Sequence, residues 1–127
     1  MNAAILAVDD DIMVLNALRM QLERNFQNYV LEFAQNVDEA IEVIGQLRND
    51  NVKLIVIISD WVMPLKNGDV LAKYVKGIDA SVKVVVLSGK LEEAKVESYI
   101  ADNTIDRVVM KPWDEANLIE IIKNTID

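Results

Sequence analysis

The chain contains no cysteine and no histidine, and only two prolines and four glycines among its 127 residues. Without cysteine there is no disulfide and no thiolate zinc site. Without histidine, imidazole acid–base catalysis, imidazole metal ligation and a phosphohistidine within the chain are all excluded. The scarcity of proline and glycine leaves no linker-like stretch at which to divide the sequence, and its length suits one domain with one proper core, so residues 1–127 are expected to form a single unit. No apolar run approaches the roughly 20 residues needed to cross a bilayer. The opening Met1-Asn2-Ala3-Ala4 lacks the basic region and apolar stretch of a secretion signal. These absences favour a cytoplasmic domain with no membrane attachment. Positive charge is also scarce: 13 Lys and Arg stand against 21 Asp and Glu, a formal net charge of −8. A nucleic-acid surface would be basic, so direct DNA or RNA binding is not expected.

What is present is a set of short, unbroken apolar runs, Ile5–Val8, Leu54–Ile58, Val84–Leu87 and Val108–Met110, with a weaker one at Tyr29–Phe33. Continuous runs of this length, rich in β-branched residues, read as strands buried on both faces, hence a parallel sheet. Helical spacing fills the gaps. Ile12, Leu15, Leu18, Leu22 and Phe26 recur at three and four, as do Ala40, Ile41, Ile44 and Leu47 behind a cap expected at Asp38. Val70, Leu71 and Tyr74 mark a third helix. Leu91–Ile100 is a weaker fourth, and Leu118, Ile122 and Ile126 mark a fifth, capped near Asp114. Strand and helix alternate five times, which predicts an α/β fold, a (βα)5 parallel sheet covered on both faces.

In open sheets of this kind ligands bind beyond the carboxyl ends of the strands. The residues there are Asp9, Asp10 and Asp11 after the first run, Ser59 and Asp60 after the third, Ser88 and Gly89 after the fourth, and Lys111 and Pro112 after the fifth. Taken singly, these are ordinary caps, turn residues and surface charges. Four strands delivering acid, acid, hydroxyl and amine to one edge is a different matter. Clustered carboxylates raise one another's pKa unless a cation intervenes, and Mg2+ accepts carboxylates, water and phosphate oxygens together. A carboxylate can then serve as nucleophile toward a phosphoryl group, with Lys111 as a point charge and Ser88 as a hydroxyl donor.

Ile5-Leu6-Ala7-Val8-Asp9-Asp10, Ile57-Ile58-Ser59-Asp60-Trp61-Val62-Met63-Pro64 with Asn67-Gly68, Val85-Val86-Leu87-Ser88-Gly89 and Val109-Met110-Lys111-Pro112-Trp113 resemble, in order and spacing, the receiver domains of two-component response regulators. The resemblance covers about Ile5 to Ile126. It implies a doubly wound, flavodoxin-like sheet in the order 2-1-3-4-5. It also implies a Mg2+-dependent switch that accepts a phosphoryl group on Asp60 and is not an enzyme beyond its own phosphorylation and dephosphorylation. By the same resemblance Asp10 ligates the metal directly, Asp9 through water, and Asp60 and the backbone carbonyl of Val62 complete the set. Ser88 and Lys111 contact the phosphoryl group, Gly89 leaves room for it, and the Lys111-Pro112 bond is cis. The implied partners are a sensor histidine kinase or phosphotransfer protein as donor, and an output domain or partner protein.

One position departs from the pattern. Three residues before Lys111 the family usually carries Tyr or Phe, and here stands Val108, whose β-branched side chain is stiff about χ1. Output is expected at the face of the fourth helix, fifth strand and fifth helix, where Ile119 and Ile121, with Tyr99, would form an apolar patch for a partner or for self-association. The alternative to a phosphorylated switch is an interaction module with the same fold, but every site residue is present. A phosphohydrolase would need a second Asp where Val62 stands. A P-loop would need Ser or Thr after Lys90, where Leu91 stands.

Overall fold

Every apolar run named above forms a strand; in chain order the first, third and fourth are buried on both faces and the second and fifth only partly so. The computed structural model describes residues 2–89 and 93–127, the latter without the side chains of 93–96. The elements run β1 (Ala3–Val8), α1 (Ile12–Asn25), β2 (Val30–Ala34), α2 (Val37–Asn49), β3 (Lys53–Asp60), α3 (Gly68–Ile78), β4 (Lys83–Ser88), α4 (Glu93–Ala101), β5 (Arg107–Met110) and α5 (Glu115–Ile126). All pairings are parallel and the sheet order is β2-β1-β3-β4-β5, as the sequence and its resemblance imply. Leu91, where the fourth helix was expected to start, lies outside the described residues. No described helix is long and apolar enough to cross a membrane.

The two-residue period of the strands sorts side chains into two cores. Ala4, Leu6, Val8, Ile57, Val84 and Val86 pack with Ala40, Ile44 and Leu47 of α2 and Leu71 and Val75 of α3. Ile5, Ala7, Val56, Ile58, Val85, Leu87 and Val109 pack with Leu15, Leu18 and Leu22 of α1 and Leu118 and Ile122 of α5. β1 meets β3 through a register shift between Ala4 and Ile5, which is why Leu54 and Val56, two residues apart, face opposite cores.

Several local expectations are corrected. The cap of α2 is Asn36, whose side chain accepts from Glu39 N–H, and Asp38 sits inside the first turn. Asn36 followed three residues on by Glu39 is the sequence pattern of a helix start. In α3 the inward residues are Leu71, Ala72 and Val75, while Val70 and Tyr74 are exposed. Ile12 is half exposed and does not join the inward face of α1. Asp114 caps α5 as expected, accepting from Asn117 N–H. α2 and α4 are each followed by an asparagine at positive φ, Asn51 at 57° and Asn103 at 67°, the residue type that tolerates this helix-ending conformation best after glycine.

At the end of the sheet opposite the acidic residues, Lys53 Nζ reaches Asp79 Oδ2 at 2.6 Å and Ser81 Oγ at 2.7 Å, tying the start of β3 to the turn after α3. The Lys53 and Ser81 hydrogen bonds hold the Asp79 carboxyl down at about 2, from an ordinary 3.8. A depressed carboxylate adds stability that is complete above its unfolded value and is lost as pH falls through its folded value. Lys53 and Asp79 are 42% and 34% exposed, so the pair is worth at most about 1 kcal/mol. Asp79→Asn should therefore lower the urea midpoint at pH 7, and the gap from the wild type should close between pH 4 and about 2. A gap independent of pH would show that the ion pair contributes nothing.

Candidate functional site

The strand pleat builds the site. Ile5, Ala7 and then Asp9 alternate to one side of β1, and Val56, Ile58 and then Asp60 do so along β3. Val109 and then Lys111 continue the same alternation past β5, so all three polar groups extend the face covered by α1 and α5. Register brings them level: Val8 is opposite Ser59, Asp60 is opposite Leu87, and Ser88 is opposite Met110. β3 runs through Asp60, two residues further than its apolar run. The ladder extends past the strand, where Trp61 N–H still donates to Leu87 O at 3.0 Å.

Lys111 Nζ lies 3.0 Å from Asp60 Oδ1 and 3.2 Å from Asp9 Oδ2. Asp9 is fully buried and Asp60 nearly so, whereas Asp10 is exposed. The second oxygen of Asp9 accepts Asp11 N–H at 2.9 Å, and Asp11 itself caps α1 by accepting from Met13 N–H. Burial pushes the Asp9 carboxyl above its ordinary value, against the Asp11 N–H and Lys111, which pull it down. Burial likewise pushes Asp60 up, opposed by its hydrogen bond to Lys111 and reinforced by the charge of Asp9. For Lys111, burial favours the neutral amine, but Asp60 and Asp9 together outweigh it and the ammonium is stabilised. Carboxylate oxygens of Asp9, Asp10 and Asp60 all lie within 4.8 Å of one another. One ammonium among three carboxylates leaves a net deficit of two positive charges. Hard oxygen donors at this spacing fit a divalent cation such as Mg2+.

The remaining expected residues sit around this centre. Ser88 follows the Cα partner of Asp60; its hydroxyl donates to Gly89 O at 3.0 Å, and its carbonyl accepts Lys111 N–H at 2.9 Å. Val62 lies two residues past Asp60 with its side chain half exposed; that side chain is a hydrocarbon, so only its backbone could serve as a metal donor. The Lys111-Pro112 bond is cis, as expected. Val108 is half buried against the α2–α3 core. The expected apolar patch on α5 needs correction. Ile119 is 6 % exposed and belongs to the α1–α5 core, and Ile121 packs at its margin. Among the described residues, the large apolar side chains that do reach solvent on the neighbouring elements are Ile100 of α4 and Met110 of β5.

Sequence reasoning assigned no role to Gly68 or Ser59. Gly68 N–H donates to Trp61 O at 2.8 Å, and a Cβ at Gly68 would lie 2.6 Å from the Asp60 carbonyl oxygen and 3.3 Å from Trp61 Cα. The start of α3 thus presses against the backbone of Asp60, which only glycine permits. The signal was the Asn67-Gly68 pair just beyond the acidic strand. Ser59, buried, donates to the same Asp60 carbonyl at 2.9 Å. Between them Pro64-Leu65-Lys66 makes a γ-turn, with Lys66 N–H on Pro64 O at 2.8 Å and Leu65 at φ 71°, a strained geometry for a non-glycine residue.

The chain matches the model of the family described as response regulator receiver domain over residues 5–123. It is 31% identical over 120 residues to the transcriptional regulatory protein ResD of Bacillus subtilis (strain 168), an alignment covering 94% of this chain and 46% of ResD. It is 25% identical over 122 residues to the chemotaxis protein CheY of Halobacterium salinarum, covering 96% of this chain and 95% of CheY. Among solved structures it is similar to a CheY-like response regulator receiver domain protein from Methanospirillum hungatei JF-1, with TM-score 0.80 and 25% identity over 100% of this chain and 95% of that one. The chain thus spans about half the length of ResD and nearly all of CheY.

The close approach at Gly68 has a measurable consequence. Gly68→Ala forces backbone against backbone, and overpacking of this kind costs about 1–3 kcal/mol. The expected result is a fall of that size in unfolding free energy by urea titration. A neutral or stabilising outcome would show that α3 can retreat freely from Asp60.

Proposed function

Because the chain belongs to the response regulator receiver domain family, a family of signalling switches in two-component systems that interact with histidine kinases and output domains, we propose that residues 1–127 form one such domain with Asp60 as phosphoacceptor. The observation that carries this reading is the Lys111 ammonium 3.0 Å from Asp60 Oδ1, in a recess where burial favours neutralising that carboxylate. Asp60 then attacks the phosphorus of a phosphohistidine on a separate protein, since this chain has no histidine. One O–P bond forms, one P–N bond breaks, and the bonding electrons leave with the imidazole nitrogen of the donor. Lys111 balances charge on the transferred group, and Ser88 turns its hydroxyl from Gly89 O to a phosphoryl oxygen. Mg2+ would be held by Asp10, by Asp60, by the Val62 carbonyl and, through water, by Asp9. When bound it supplies charge neutralisation between acceptor and phosphoryl oxygens. The donor is a sensor histidine kinase or phosphotransfer protein. The output partner, or a second copy, is read at the α4-β5-α5 face, where Ile100 and Met110 are exposed. The domain works in the cytoplasm, where such donors present their phosphohistidine.

Two measurements test this. Acetyl phosphate with Mg2+ should label the protein once, with a hydroxylamine-labile bond, and Asp60→Asn should abolish the label. Label surviving in that variant would move the nucleophile to Asp9 or Asp10, and no label on the wild type would leave a phosphorylation-independent interaction module.

Mg2+ should also stabilise the fold, because it binds the assembled acid cluster and not the unfolded chain. At ten times its dissociation constant a ligand adds about 1.4 kcal/mol, a rise of a few degrees in melting temperature for a domain of this size. Asp10→Asn should remove most of that rise. A wild-type melt indifferent to millimolar Mg2+ would overturn the metal assignment.

A further inference from the structure

We propose that the ring contact between Trp61 and Tyr99 carries the state of Asp60 to α4, an inference that rests on Asp60 being the phosphoacceptor. Asp60 and Trp61 are consecutive in the chain and face opposite sides of the sheet. Asp60 continues the α1–α5 face, and the Trp61 ring, 4 % exposed, lies in the α2–α3 core. Trp61 is also pinned through its backbone, its N–H to Leu87 O at 3.0 Å and its carbonyl to Gly68 N–H at 2.8 Å. A residue held at both ends of its peptide frame can rock but not translate. A shift at Asp60 therefore reaches the ring as a rotation.

What the ring meets is Tyr99 of α4, at a centroid distance of 5.3 Å and an interplanar angle of 52°. Tyr99 is half buried, and among the described residues its hydroxyl makes long contacts with α3: 3.3 Å to Asp69 Oδ2 and 3.4 Å to Lys73 Nζ, whose ammonium lies 4.9 Å from the ring centroid. An aromatic pair and an exposed cation–π contact are individually weak. Tyr99 is only half buried and its hydroxyl contacts are long, so leaving this position gives up little. Docked and undocked rings are close enough in free energy for a change at Trp61 to shift their populations. The Tyr99 carbonyl also accepts both Thr104 N–H at 2.9 Å and Ile105 N–H at 3.1 Å. Its backbone is therefore the corner between α4 and the approach to β5, and movement of the residue is movement of that corner. Val108 packs on the same core and is too short and stiff to take this part.

The test is hydrogen exchange on the full chain, with and without beryllofluoride and Mg2+, and with binding followed independently by fluorine NMR. In the wild type, amides of residues 93–101 should change their exchange rates at least threefold on binding. Tyr99→Leu should bind beryllofluoride and lose that change, and Tyr99→Phe, which keeps the ring, should retain it. In a Trp113→Phe background, Trp61 fluorescence should saturate with the same curve as the α4 exchange, a check that needs no change at Tyr99. An α4 response that persists in Tyr99→Leu, or a wild type that binds without any α4 response, or fluorescence and exchange saturating at different concentrations, overturns the coupling. A wild type that fails to bind beryllofluoride overturns instead the phosphoacceptor reading beneath it.

Discussion

A single ammonium placed between two carboxylates sets the terms for the whole carboxyl edge of the sheet. Asp9 is fully buried, and a buried carboxylate without a partner is costly enough to neutralise or to unfold its surroundings. Lys111, at 3.2 Å from it and 3.0 Å from Asp60, is the counter-charge that offsets part of that cost for both acids. The compensation is incomplete. Burial still pushes both carboxyls upward, and the exposed Asp10 adds a third negative charge within ligand distance. A cluster left short of positive charge is one that a hard divalent cation can stabilise further.

The sheet imposes this arrangement with little help from loops. The polar residues sit where the apolar alternation of β1, β3 and β5 runs out on one side, and the parallel register makes the three strand ends level. The same pleat divides the acidic pair. Asp9 keeps the inward phase of β1 and is sealed in, and Asp10 takes the other phase and meets solvent. Backbone pressure completes the setting, because Gly68 and Ser59 both bear on the Asp60 carbonyl and fix this residue from behind.

Strand positions, sheet class and the converging polar residues were legible because continuous apolar runs and the residues that end them are local properties. What was not legible depends on tertiary packing. Val70 and Tyr74 have the right helical spacing, yet α3 turns Leu71, Ala72 and Val75 inward, since the phase of a helix is set by what it packs on. Ile119 looked like a flank of the α5 stripe and is core, because α1 covers it. Asn36, not Asp38, caps α2, although the Asn36-Glu39 spacing is itself a local signal. Gly68 could be seen in the sequence as a turn residue, but the contact that requires it belongs to the folded chain. The roles of individual site residues came from family resemblance; geometry alone assigns charge, burial and proximity.

The two sides of the sheet answer to different constraints. On the α1–α5 side, Asp9, Asp60 and Lys111 are bound by charge balance, and loss of Lys111 would leave two carboxylates without their shared counter-charge. On the α2–α3 side, the residues that meet Trp61 are bound mainly by packing, which volume-conserving exchanges satisfy in many ways. A chain can therefore sit at 25% identity from a solved receiver and keep its fold, with a TM-score of 0.80, while an aromatic is absent from one strand, at Val108, and present on a helix, at Tyr99. The chemistry is confined by electrostatics to one set of residues. The route by which it is felt elsewhere is confined only by shape, and shape leaves room for this chain to have its own.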